Sequence, residues 1–246
     1  MKRWYEISKD PNSLEVVEAR KKILLNARSG TLIKNRIAYL CDMVKDKDVL
    51  DIGVVEHLSK LAINPNWLHR HLAEAAKTCL GVDILEEEVE KLHAMGFNVL
   101  CVDLTKKHLE EQFDVIVCGE VLEHVDSPKN LLLSATKMLK PNGRIVISVP
   151  NPWYVNILVK NVFDGPPYID NADHVAWFDP CTLCELGQRC GLLLDRFSGV
   201  AIDGDLSLNA KIFFNLTSFL PSIGIRPEIF AKVMIYEFVA AQHNNH

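Results

Sequence analysis

The feature that most constrains this chain is a strict alternation of short apolar runs with amphipathic segments between residues 49 and 149. Runs at 49–52, 79–82, 97–102, 113–118 and 144–149 are too short for helices. Segments near 67–76, at 86–95 before Gly96, and from Ser127-Pro128 to Leu139 carry helical spacing. Strand and helix in this order predict an α/β fold, a parallel sheet with helices on both faces.

Flanking segments extend the pattern. Residues 13–42 suit two helices broken near Ser29-Gly30. Lys140-Pro141-Asn142-Gly143 marks a turn, and Asp179-Pro180 provides a cap and first-turn proline for a helix ending at Cys190-Gly191. A strand at 192–202, a helix at 206–220, a closing strand at 232–239 and a frayed tail at 242–246 complete the expectation. Three parts follow: an N-terminal helical cap (1–46), a cofactor-binding core (47–150), and an acceptor-binding region with the closing strands (151–246).

A formal net charge of −5, with one compact basic run at Arg20, Lys21 and Lys22, argues against a nucleic-acid partner held through phosphates. No stretch approaches the roughly 18 apolar residues of a membrane span, and no leader peptide is expected. Seven cysteines, an odd number, suit thiols in the reducing cytoplasm better than a disulfide framework. Cys181 and Cys184 form a C-x-x-C without a second pair, so they read as helix thiols before a zinc or redox site.

In open α/β sheets ligands bind beyond the carboxyl ends of the strands. Those ends read Asp51-Ile52-Gly53, Asp83-Ile84, Asp103-Leu104 and Cys118-Gly119-Glu120. Three successive acids repel a pyrophosphate and suit a cationic ligand bearing a hydroxyl-rich ribose. Asp83 is placed to accept the ribose hydroxyls, and Asp103 the adenine amine, with Leu104 against the ring face.

Val49-Leu50-Asp51-Ile52-Gly53, Gly81-Val82-Asp83, Val102-Asp103, Phe113-Asp114-Val115-Ile116-Val117 and Leu139-Lys140-Pro141-Asn142-Gly143-Arg144, taken in series, resemble the class I S-adenosylmethionine-dependent methyltransferases. The resemblance implies a Rossmann-like sheet of seven strands, mostly parallel with an antiparallel terminal hairpin, and a C-terminal insertion covering the substrate. It implies S-adenosylmethionine as cofactor, held by Asp51, Gly53, His57, Asp83, Ile84, Asp103, Leu104, Cys118, Gly119 and Glu120. The usual D-x-G-x-G-x-G is here Asp51-Ile52-Gly53-Val54-Val55-Glu56-His57, so two glycines that admit the cofactor's close approach are missing. A subgroup associated with surface-polysaccharide and secondary-metabolite pathways has valine and histidine at this turn, which implies an altered loop path.

Glu120-Val121-Leu122-Glu123-His124 follows the fourth strand, and on a helix positions i, i+3 and i+4 would bring Glu120, Glu123 and His124 to one face. With His174 in Asp173-His174-Val175-Ala176-Trp177-Phe178, the pattern resembles the ubiquinone-pathway O-methyltransferases and the small-RNA 2′-O-methyltransferases. Carried over, Glu120, Glu123, His124 and His174 imply a divalent cation such as Mg²⁺ that chelates neighbouring acceptor oxygens. A metal-free reading stays open beside it, in which His174 or His124 acts as general base.

Trp153, Tyr154, Tyr168, Trp177 and Phe178 put rings with polar edges beyond the fifth strand. They fit a small polar acceptor: a sugar, a nucleotide-linked sugar or a polysaccharide end, methylated on a hydroxyl. The apolar stretch 213–220 suits a lid, a homodimer surface or a greasy acceptor, with an amphipathic covering helix as the default. Rival readings are a nicotinamide-dependent dehydrogenase, which lacks its G-x-G-x-x-G, a non-catalytic methyltransferase-like partner protein, and an RNA methyltransferase.

Overall fold

The computed structural model describes residues 3–55, 64–163, 170–201 and 220–241. Its sheet contains β1 (Asp48–Ile52), β2 (Thr78–Asp83), β3 (Val99–Cys101), β4 (Phe113–Gly119), β5 (Leu139–Pro150), β6 (Leu192–Val200) and β7 (Val233–Ala240). The seven strands lie in the order β3-β2-β1-β4-β5-β7-β6. Strands β1 to β5 run parallel, and β7 is antiparallel to both β5 and β6.

Alternation along each strand builds two cores. Leu50, Ile116, Ile145 and Phe238 face one side; Val49, Val115, Val146 and Ile235 face the other. Helices α1 (Trp4–Ile7), α2 (Leu14–Ala27) and α3 (Arg36–Val44) precede the sheet. Crossover helices α4 (Leu68–Ala75), α5 (Glu86–Ala94) and α6 (Pro128–Lys137) link the parallel strands, and α7 (Val155–Phe163) and α8 (Pro180–Arg189) follow β5. The Asp179 side chain accepts from Thr182 N at 2.8 Å while Asp179 N donates to Thr182 Oγ1 at 3.0 Å, a reciprocal cap that starts α8 behind Pro180.

Three local expectations change. Residues 120–124 form a turn and no helix, because Glu120 leaves β4 with φ of 55°, a left-handed conformation that a helix cannot start from. The break expected at residues 140–143 does not end an element: β5 runs through it as a bulged segment, with Asn142 at φ 64°. Strand β3 is shorter than the run at 97–102 because its pairing with β2 begins at Val99. Residues 206–219 of the expected helix and the tail 242–246 lie outside the described residues.

The N-terminal segment is stitched to the far edge. Arg28 binds both carboxylate oxygens of the buried Glu228, at 2.7 and 2.8 Å. Ile33 N donates to Gly199 O at 2.8 Å, and Ala201 N returns to Ile33 O at 2.8 Å. All seven cysteines are unpaired, and no helix among the described residues is long and apolar enough to cross a membrane.

In the core, the Tyr236 hydroxyl is buried with no hydrogen-bond partner among the described residues. Tyr236→Phe removes this unsatisfied group and keeps the ring, so unfolding stability should stay level or rise by about 1 kcal/mol. Urea titration checks this, and a loss above about 2 kcal/mol would mean that the hydroxyl does have a partner.

Candidate active site

A cavity of about 760 Å³ opens at the carboxyl ends of β1 to β5, within the range that takes a small ligand. Asp51, Asp83 and Asp103, from three adjacent strands, share its wall. Gly53 turns the chain away from β1 at φ 80°, and a Cβ there would lie 2.1 Å from Val121 Cγ2, so glycine is required on both counts. His57 falls outside the described residues, as does Tyr168.

Asp83 organises the rim. Its Oδ1 accepts from the N–H of Ile84 (2.7 Å) and Leu85 (3.2 Å), and its Oδ2 from Val55 N (2.9 Å). A carboxylate offers about four acceptor sites, so one remains on Oδ2, which a ligand hydroxyl could use. Beside it Ile84 is 66% exposed, an apolar face on the cavity mouth. Asp103 is held at about 2 by Lys106 Nζ (2.9 Å) and by Thr105, whose N–H and hydroxyl both donate to Oδ1, so it stays an anion. Leu104 is buried next to it and also lines the cavity.

At β4 the expected residues separate. Gly119 and Glu120 line the cavity, but Cys118 does not. Cys118 shares the pleat face of Ile116, is buried in the core, and has its thiol pushed up by burial. That parity, two residues apart on one strand, was the available signal.

Beyond the Glu120 turn, Val175 N and Ala176 N donate to Glu123 O at 2.9 and 3.3 Å, and this main-chain link brings His174 to Glu123. Glu123, His124 and His174 offer ligand atoms that all lie within 4.8 Å of one another. Glu120 does not join them: its Oε1 lies 3.8 Å from Arg36 NH1. Both Glu123 oxygens and His174 Nδ1 are buried without hydrogen-bond partners among the described residues. Burial, then the nearby Glu120 charge, raises Glu123 to about 8; burial, then His124, lowers His174. His124 Nδ1 lies 3.0 Å from Asp173 Oδ2, a contact that orients its ring. A buried acid and two imidazoles gathered at one point form a donor set that a divalent cation fits, since its charge would reverse the cost of the buried carboxylate.

Several cavity residues were not anticipated. Arg36 reaches over from the N-terminal cap and donates to Ser148 Oγ at 3.2 Å. His69 comes from the first turn of α4, while Asp170 and Lys232 form a 3.2 Å ion pair that also lines the cavity. Asn35 caps α3, its side chain accepting from Ala38 N at 2.9 Å, and so sets Arg36 at the first helical position. Trp153 and Trp177 are each 43% exposed, and His174 stands edge-on to Trp177 with ring centres 5.9 Å apart. Cys181 and Cys184 lie on α8, one exposed and one buried against Arg20, and take no part in this site.

Comparison with known proteins places these features in context. Residues 27–195 match a family described as a methyltransferase domain. The chain is 26% identical over 210 residues to the ubiquinone biosynthesis O-methyltransferase of Aeromonas salmonicida (strain A449), covering 80% of this chain and 79% of that protein. It is 25% identical over 237 residues to the same-named enzyme of Klebsiella pneumoniae (strain 342), covering 85% and 89%. In fold it is similar to the magnesium protoporphyrin IX methyltransferase of Synechocystis PCC 6803, solved with bound SAH, with a TM-score of 0.54, 15% identity and coverage of 96% and 92%.

Proposed function

This chain belongs to the methyltransferase-domain family, a class I S-adenosylmethionine-dependent enzyme, and from that premise we propose that it methylates a hydroxyl of a small acceptor bearing two neighbouring oxygens. A sugar, nucleotide-linked sugar or polysaccharide end meets that description, and so does a dihydroxylated ring. The observation that carries the reading is the buried, unpartnered Glu123 carboxylate beside His124 and His174.

The donor lies across the strand ends. Its adenine reaches Asp103 and Leu104, its ribose Asp83, and its amino-acid end Asp51, with Arg36 suited to the α-carboxylate. The acceptor occupies the remaining volume toward Glu123, His174 and the exposed tryptophans. A divalent cation held by Glu123, His124 and His174 would lower the pKa of a coordinated hydroxyl. The acceptor oxygen attacks the methyl carbon in line: an O–C bond forms as the S–C bond breaks, S-adenosylhomocysteine leaves as a neutral thioether, and the hydroxyl proton passes to a histidine of the cluster or to water. Positioning supplies most of the acceleration, because the methyl group is already activated. The three-part division of the chain, action in the cytoplasm and a homodimer belong to the same proposal.

A second reading draws on the His124–Asp173 contact, which would also orient an imidazole for metal-free proton transfer. One experiment separates them: a screen of pyranosides and dihydroxylated rings with labelled S-adenosylmethionine, after exhaustive chelation and again with Mg²⁺ restored. Activity should fall by about 100-fold on metal removal and return with the cation. Undiminished turnover in the metal-free protein would leave the histidines as bases and remove the cation.

A further inference from the structure

Asp51 closes β1 and is only 3% exposed, yet it lines the cavity. A carboxylate buried to this degree needs a fixed partner. Its Oδ2 lies 2.9 Å from His69 Nδ1, while Oδ1 makes no hydrogen bond among the described residues.

His69 is 1% exposed, and its slot is built from several elements. Its ring packs at 5.4 Å from the Trp67 ring and 5.8 Å from Phe97. Its Cε1 sits over β2 at Gly81, the register partner of Asp51, where an added Cβ would come within 2.7 Å of it. Trp67 Nε1 donates to Val54 O at 2.9 Å, so the segment entering α4 is tied to the turn leaving β1. His69 Nε2 is buried with no partner among the described residues. A proton on Nε2 would have no acceptor, so the imidazole carries its proton on Nδ1 and donates it to Asp51. Asp51 thus has one oxygen tied down and the other left for a ligand.

With the donor placed as proposed above, the strand order β3-β2-β1 sets its adenine, ribose and amino-acid end at Asp103, Asp83 and Asp51 in turn. The amino-acid end bears an α-ammonium, and the loop here has valine and histidine at 55 and 57 where the family has glycines. We infer that His69 is a positioning residue for the methyl donor: it holds the Asp51 carboxylate so that Oδ1 accepts from the donor's ammonium. The inference rests on the donor placement proposed above.

The test compares S-adenosylhomocysteine, which has the amino-acid end, with 5′-methylthioadenosine, which lacks it, by titration calorimetry on the full chain. His69→Phe, which keeps a ring and loses the donor, should lower S-adenosylhomocysteine affinity by about tenfold, with 5′-methylthioadenosine affinity changed by less than about twofold. His69→Gln, whose amide N–H can replace Nδ1, should recover most of the loss. His69→Leu substitutes for His69→Phe if the latter does not fold. Equal losses for both ligands, or an unchanged S-adenosylhomocysteine affinity, would overturn the inference. Failure of both donor-less variants to fold would overturn it as well, by assigning His69 to the fold alone. Absence of binding of either ligand to the wild-type chain would strike the donor placement itself.

Discussion

His174→Ala should lower turnover by about 100- to 10,000-fold while leaving S-adenosylhomocysteine affinity within about twofold. The size of the effect does not depend on which acceptor-side reading holds. As a cation ligand, His174 supplies a buried imidazole nitrogen that has no partner among the described residues; as a base, it is an imidazole whose pKa burial lowers. The affinity is spared because His174 packs against Glu123, His124 and Trp177 and makes no hydrogen bond to Asp51, Asp83 or Asp103. Turnover is measured with labelled S-adenosylmethionine and the acceptor found in the screen, and affinity by calorimetry. Wild-type turnover in the variant would show that the reacting hydroxyl lies elsewhere. Glu123→Gln refines the outcome: it should approach the His174→Ala defect if a cation is bound, and fall well short of it if His174 works alone.

Asp83→Ala should weaken S-adenosylhomocysteine binding by about 100-fold. Two losses combine. A charged acceptor for the ribose disappears, and so do the three backbone contacts through which Asp83 fixes Val55, Ile84 and Leu85. Calorimetry provides the comparison, with Asp83→Asn as the control that keeps the shape and loses the charge. Near-normal affinity in the alanine variant would move the nucleoside away from β2.

The strands and their terminal acids were legible because an apolar run buried on both faces has few alternatives, and because ligands in such sheets gather at one end. The aspartate and proline at the start of α8 were legible because a cap and a first-turn proline act through the few residues beside them. The segment 120–124 misled because spacing of three and four is compatible with a single turn as well as a helix, and nothing local announces that Glu120 is left-handed. Arg36 and His69 were out of reach for a different cause. Each comes from a helix laid across strand ends distant in sequence, and its role exists only once Ser148, Asp51 or Gly81 has been carried to it. His174 was named from resemblance, and its approach to Glu123 depends on two main-chain bonds that side-chain patterns do not reveal.

The stitching of residues 28–33 along β6 bears on how copies of this protein can meet. β6 is an outermost strand, and bare strands of that kind recruit other strands. Here Ser29 N already donates to Phe197 O at 3.1 Å and Ile33 N to Gly199 O, while the Arg28–Glu228 clasp holds the covering segment in place. Along residues 197–201 that margin is hemmed from within, so there the sheet of one molecule meets its own covering segment before it can meet a neighbour's strand.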